Sequence, residues 1–153
     1  MGGSFGGYLA LACPVEAPDL YACSVSVCGV FDWSEHVKSK RYDARPGEYE
    51  YLLAKLGDPR KQKAAFEALS PLSRIDRLHI PVLVAHGKED TIVSIKQSRL
   101  LVSALKDHGI PCETFYRSLA GHGFYAAKDR LAFYQTLQSF LALHLGTASP
   151  ALP

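Results

Sequence analysis

The chain has 153 residues, 48% of them hydrophobic, with 17 basic against 15 acidic side chains and a formal net charge of +2. That balance excludes a disordered or collagen-like chain and, without any run of Lys or Arg, gives no electrostatic reason to expect nucleic acid or a membrane surface as partner. No apolar stretch approaches the ~18 residues of a membrane-spanning helix, and the first residues lack the charged-then-apolar order of a signal peptide.

The first element is a turn into a helix: Gly2, Gly3, Ser4, Phe5, Gly6 and Gly7, then Tyr8 to Cys13, which Pro14 is expected to stop. Tyr21 to Val30 (YACSVSVCGV) carries no charge and reads as a strand buried on both faces, with Tyr21, Cys23, Val25 and Val27 on one face and small residues on the other. Residues 34 to 80 read as a helical excursion. Pro46 opens a helix ending near Gly57, Asp58-Pro59 supply the N-cap and first position of the next, and Ser70-Pro71 close the excursion.

Pro81 to Ala85 (PVLVA) is a second buried strand, bounded by turn residues at His86-Gly87. The helix after it is expected to start with a capping box of Ser94 and Gln97 and to end at Gly109, with Leu101 and Leu105 as its apolar stripe. Cys112 to Tyr116 is a third strand. Phe133, Leu137, Phe140 and Leu141 give a final helix its core face, and residues 146–153 form a tail expected to fray. Strands alternating with helices imply an α/β fold with a mainly parallel sheet and helices on both faces.

Cys13, Cys23, Cys28 and Cys112 show no metal-type spacing, so no metal and no cofactor is expected. Cys23 and Cys28, on opposite faces of one strand, cannot bridge each other there. Buried reduced thiols are the expectation, and with them a cytoplasmic setting.

Three short stretches carry chemistry. Gly2-Gly3-Ser4-Phe5-Gly6 matches G-x-S-x-G, a turn in which small residues lift a serine hydroxyl clear of the sheet; a glycine-rich tag would not run straight into Tyr8-Leu9-Ala10-Leu11-Ala12. Asp90, in His86-Gly87-Lys88-Glu89-Asp90, follows a buried parallel strand, where α/β sheets place their sites. Taken alone it reads more readily as a helix N-cap or turn carboxylate, the commoner role of an isolated Asp after a strand, and Glu89 is the neighbouring rival, expected to face solvent. His122, between Gly121 and Gly123, follows the third strand; a single loop histidine would ordinarily be a surface residue. Together the three occur at strand ends in the order Ser, Asp, His used by α/β-hydrolases. Ser4 is then the nucleophile, His122 the base, Asp90 the acid that orients it, and the backbone N–H of Phe5 one oxyanion donor. His36, His79, His86, His108 and His144 lack such context and take structural or surface roles.

The wording of these stretches also resembles a known family. GGSFGGY at residues 2 to 8 is similar to the elbow of prolyl oligopeptidase family serine peptidases, which include acylaminoacyl and dipeptidyl peptidases. SPLSRIDRLHIPVLVAHGKEDTIVSIKQS at 70 to 98 is similar to the stretch leading through that family's acid, and GHGF at 121 to 124 to its histidine loop. Asp32-Trp33 fits too, and Ser94 departs from the family's usual proline. The resemblance implies residues 1–145 as the C-terminal part of an α/β-hydrolase catalytic domain and a peptide or acyl-peptide as substrate. It also implies further strands, a second oxyanion donor and usually a β-propeller upstream of residue 1. The missing N-terminal portion is thus an expected partner; so is a second copy, because a bare strand edge invites association. The same triad cleaves esters, and a silent module binding a partner is the reading outside enzymes.

Overall fold

The structure is a computed structural model that describes residues 1–41 and 47–146. Its strands, in both chain and sheet order, are β1 (Gly2–Gly3), β2 (Ser24–Val27), β3 (Val82–Gly87) and β4 (Cys112–Arg117), and every neighbouring pair is parallel. Val25 stands beside Leu83 and Leu83 beside Glu113, while β1 reaches β2 only at Ser26 and Val27. The β3 sequence VLVAHG is buried at every position, which explains why it carries no charge and no alternation of polarity.

Its side chains nevertheless alternate in direction. Val82 and Val84 point to α1 (Phe5–Glu16) and α5 (Lys96–Asp107), where they join Leu11, Val15, Leu101 and Leu105. Leu83 and Ala85 point the other way, to α6 (Ala127–Leu145), and join Val25, Phe115, Phe133 and Phe140. Each fully buried leucine or phenylalanine is worth about 1.5–3 kcal/mol. The expected α/β architecture, a parallel sheet with helices on both faces, is the one the chain forms. Between β2 and β3 run α2 (Trp33–Lys40), α3 (Glu48–Leu56), α4 (Lys63–Leu69) and a 3-10 segment, Pro71–Arg77.

Several expected boundaries move, each for a local reason. Pro14 does not stop α1, which continues to Glu16. A proline inside a helix leaves the carbonyl four residues back without its donor, and here the Ser24 hydroxyl donates to that carbonyl, on Ala10. The Ser26 hydroxyl donates to the Gly7 carbonyl at 2.7 Å, so the small face of β2 is also the face that ties down α1. The strand expected over Tyr21 to Val30 is only Ser24–Val27, because Cys28 adopts a left-handed conformation with φ 51° and turns the chain out of the sheet. Cys23 and Cys28 therefore flank the strand. Of the four unpaired thiols only Cys28 is buried, while Cys13 is exposed.

Asp58-Pro59 opens a turn and not a helix. Asp58 Oδ1 accepts the Arg60 backbone N–H at 2.9 Å, the Arg60 guanidinium donates to both carboxylate oxygens, and these bonds pull the carboxyl down to about 2. Next, α4 begins at Lys63, and Ser70-Pro71 lead into the 3-10 segment. His86-Gly87, expected as a turn, are the last two residues of β3, and β4 extends to Arg117.

No capping box forms at α5, which starts at Lys96. The Gln97 side chain turns inward instead: its oxygen accepts from Phe31 N at 2.8 Å and Asp32 N at 2.9 Å, and its nitrogen donates to Asp32 O at 3.0 Å. This pins the loop after β2 to α5. Asp32 then caps α2, accepting Glu35 N at 2.9 Å. Pro46, expected to open α3, lies outside the described residues, as does the tail apart from Gly146.

Candidate active site

Ser4 joins β1 to α1 at φ 56° and ψ −119°, a region that non-glycine residues rarely occupy. Its neighbours make the turn possible. A methyl at Gly2 would lie 2.2 Å from the Gly6 carbonyl oxygen, and one at Gly7 2.7 Å from the Val27 carbonyl oxygen. Ser4 N donates to Val27 O at 2.9 Å, fixing the turn to the C-terminal end of β2. Phe5 is the first residue of α1, so its N–H has no carbonyl within the helix to bond.

The loop that follows β3 brings Asp90 to the same end of the sheet, and the loop after β4 brings His122. The two loops are tied together by Lys88 N to Arg117 O at 2.8 Å and Glu89 N to Ala120 O at 3.0 Å. His122 Nδ1 lies 2.7 Å from Asp90 Oδ2 and its Nε2 2.8 Å from Ser4 Oγ. Nδ1 faces a carboxylate and so carries the hydrogen; Nε2 is then the acceptor for the Ser4 hydroxyl. Glu89 is exposed, as expected, and takes no part in this contact.

Asp90 has no exposed side-chain surface. Its Oδ1 accepts Ile92 N at 2.8 Å and Val93 N at 2.9 Å, and its Oδ2 lies 3.2 Å from His86 Nε2 as well as near His122. Burial by itself raises the carboxyl, but the bonds from His86, Val93 and His122 outweigh it and hold Asp90 well below the usual carboxylate range. Lys40 Nζ, buried in α2, donates to the Thr91 carbonyl at 3.1 Å and ties the helical excursion to the acid loop.

The partner that sequence reasoning missed is His86. Its sequence context assigns it a structural or surface role, whereas in the structure it is fully buried with both ring nitrogens engaged: Nδ1 at 2.7 Å from Ser98 Oγ, Nε2 at 2.9 Å from Val93 O. A signal for it exists in the sequence. His86 shares its strand face with Val82 and Val84, and a polar residue at a buried alternating position must find partners.

Cys28, His86 and Asp90 place one donor atom each within 4.8 Å of one another, a grouping that invites comparison with a metal site. The donors do not fit one. His86 Nε2 faces two acceptors and is a hydrogen donor, Asp90 Oδ2 is shared by two histidines, and burial pushes the Cys28 thiol up to about 12, far from the thiolate a metal needs.

Beside Ser4 runs a row of rings: Phe5 to Tyr8 at 5.4 Å between centroids, Tyr8 to Trp33 at 5.5 Å and Trp33 to His36 at 5.6 Å.

A parallel sheet that presents Ser, Asp and His in that order from the C-terminal ends of its strands, here β1, β3 and β4, defines the α/β-hydrolase class. Within that class the chain belongs to the prolyl oligopeptidase family, whose model matches residues 1–148. It is 33% identical over 149 residues to dipeptidyl aminopeptidase BIII of Pseudoxanthomonas mexicana, covering 95% of this chain and 21% of that protein. It is 30% identical over 138 residues to the uncharacterized peptidase YtmA of Bacillus subtilis (strain 168), covering 90% of this chain and 52% of that one. Among solved structures, a puromycin-hydrolyzing peptidase of Mycobacterium tuberculosis superposes with a TM-score of 0.84 at 28% identity, over 95% of this chain and 21% of that chain. The acylaminoacyl peptidase of Pyrococcus horikoshii shares the fold, with a TM-score of 0.81 at 22% identity, over 99% of this chain and 25% of that chain. The chain thus spans from about a fifth to about half the length of these relatives.

Proposed function

We propose that this chain carries the catalytic triad of a serine peptidase that hydrolyses peptide bonds through an acyl-enzyme on Ser4. The observation that carries the reading is the position of His122, bonded to Asp90 on one side and to Ser4 on the other. As Ser4 Oγ bonds to the substrate carbonyl carbon, its proton passes to His122 Nε2. The carbonyl oxygen, now negative, accepts the Phe5 N–H. Collapse of this intermediate expels the amine, which takes the proton from His122; water then repeats the sequence and releases the acid and free Ser4. Asp90, ionised and immobile, orients the imidazole and balances its charge while it holds the proton.

The named relatives, dipeptidyl and acylaminoacyl peptidases among them, support a peptide or acyl-peptide substrate. The ring row of Phe5, Tyr8 and Trp33 offers an apolar face to a substrate side chain next to Ser4. A second oxyanion donor and the remaining pocket walls come, in this reading, from the additional length that the relatives possess.

The test uses the full-length protein that carries this chain. A fluorophosphonate should label Ser4, and Ser4→Ala should abolish the label. Labelling at another serine removes Ser4 as nucleophile, and no labelling at all favours a silent module. An acyl-peptide anilide should be hydrolysed in preference to a short nitrophenyl ester; the reverse preference makes the protein a carboxylesterase.

A further inference from the structure

The geometry points to His86 as a positioning residue for the proposed triad: with Ser98 it fixes the Asp90 carboxylate so that Oδ2 stays aimed at His122. The inference rests on the triad reading and deepens it. Asp90 has room for about four hydrogen-bond donors, and polar hydrogens crowd both of its oxygens. Oδ1 takes two from the backbone, Ile92 N and Val93 N; Oδ2 takes one from His122 Nδ1 at 2.7 Å and lies 3.2 Å from His86 Nε2.

The two backbone bonds hold Oδ1 but leave the carboxylate free to pivot about it. Oδ2 lies against the two histidines, with the Cys28 thiol near the same carboxylate, and His122 is itself the group that must be oriented. It lies on a loop next to Gly123, at φ 132°, and is partly exposed. His86 is the fixed reference. It stands on the central strand β3 with no exposed side-chain surface, and its ring is locked from two further sides. Nε2 faces Val93 O and Asp90 Oδ2, both acceptors, so it carries the hydrogen. Nδ1 faces Ser98 Oγ on α5, which donates to it. Orientation thus passes along one chain of contacts from Ser98 through His86 and Asp90 to His122 and Ser4, from the interior of α5 to the nucleophile.

A residue that merely filled space on β3 would be served by leucine, which needs no partners. Retaining an imidazole there requires Ser98 and Val93 to satisfy it. A purely structural staple of the loop after β3 would need the Val93 contact alone, not the one to Asp90.

The test compares His86→Leu, His86→Gln and Ser98→Ala in the full-length protein. Gln can place an amide N–H near the position of Nε2 and Leu cannot. His86→Leu should lower kcat about 10- to 100-fold, by analogy with the loss when the hydrogen-bond partner of a metal-ligating residue is removed, with KM little changed. His86→Gln should recover most of that loss. Ser98→Ala, which frees Nδ1 without opening a large cavity, should lower kcat by a smaller factor and decides the matter if His86→Leu does not fold. Proton NMR of the His122 Nδ1–H, which needs no turnover, should show a low-field resonance that shifts or broadens in His86→Leu and returns in His86→Gln. Unchanged kcat and an unchanged resonance in the variants overturn the inference while leaving the triad intact. Absence of fluorophosphonate labelling in the parent protein overturns the triad reading instead, and the resonance still reports on His86.

Discussion

The Ser24 hydroxyl donates to the carbonyl of Ala10, the group in α1 that Pro14 leaves without a helical donor. Two apparent faults, a proline inside a helix and a serine at 3% exposure in a buried strand, cancel each other. Ser24→Ala should therefore destabilise the protein by about 1–3 kcal/mol, the cost of leaving a buried carbonyl unsatisfied. In a Pro14→Ala background the same change should cost less, since the substitution restores a backbone N–H for the Ala10 carbonyl. Urea unfolding of the four proteins of this cycle gives the coupling, and additive losses would show that the two groups act apart.

The glycines after Ser4 separate by what surrounds them. Gly6 has nothing within 4 Å of where a Cβ would stand, so Gly6→Ala should fold and label with a fluorophosphonate as the parent does. At Gly7 the added carbon would meet Val27 O at 2.7 Å and the Gly29 Cα at 3.0 Å, both backbone. Gly7→Ala should pry α1 from β2 and abolish labelling at Ser4 even where the protein remains soluble.

Asp90→Asn in the full-length enzyme should lower kcat by about 10⁴, as a triad Asp-to-Asn change does elsewhere, whereas Glu89→Gln should leave it within a few-fold. Stability carries a second signature. The folded carboxyl lies below its unfolded value, so its ionised form stabilises the fold fully above about pH 4, the unfolded carboxylate range, and that contribution fades as pH falls toward the folded value. Thermal unfolding followed from pH 7 to pH 3 should show the parent losing stability below about pH 4 and Asp90→Asn losing less over the same interval.

The thiols should divide by reactivity. Cys13 is exposed, while Cys28 is 2% exposed with its thiol pushed up to about 12 by burial, so it has almost no thiolate at neutral pH. Iodoacetamide at pH 7.5 followed by peptide mass mapping should find Cys13 modified and Cys28 untouched until denaturant is added. Early modification of Cys28 would mean that the floor of the site opens in solution.

The grouping of Ser4, Asp90 and His122 is legible in the sequence because each sits in a short stretch whose neighbours serve it: glycines around Ser4, glycines around His122, an apolar strand before Asp90. The family wording then joins stretches that lie far apart. What the sequence conceals are decisions made by distant partners. Within 21–30 only Gly29 hints at where β2 stops, and the left-handed turn itself falls one residue earlier, on Cys28, a residue type that does not announce it. Ser94 and Gln97 have the spacing of a capping box, yet Gln97 finds three backbone groups at residues 31 and 32 that no local pattern places beside it. His86 reads as the start of a turn and is the second histidine of Asp90 for the same reason.

Ser4 and His122 are 118 residues apart, and the sheet between them is parallel throughout, so each strand pairing waits for a crossover to be made. No short stretch of this chain contains a working fraction of the site. During synthesis the serine leaves the ribosome well ahead of the histidine, and it remains without a base until the whole interval between them has followed. Long-range parallel pairing is slow to form, so Ser4 lacks its His122 contact while that interval is incomplete and gains it only when the far side of the sheet has closed. The order of residues along the chain thus sets when Ser4 can first meet His122.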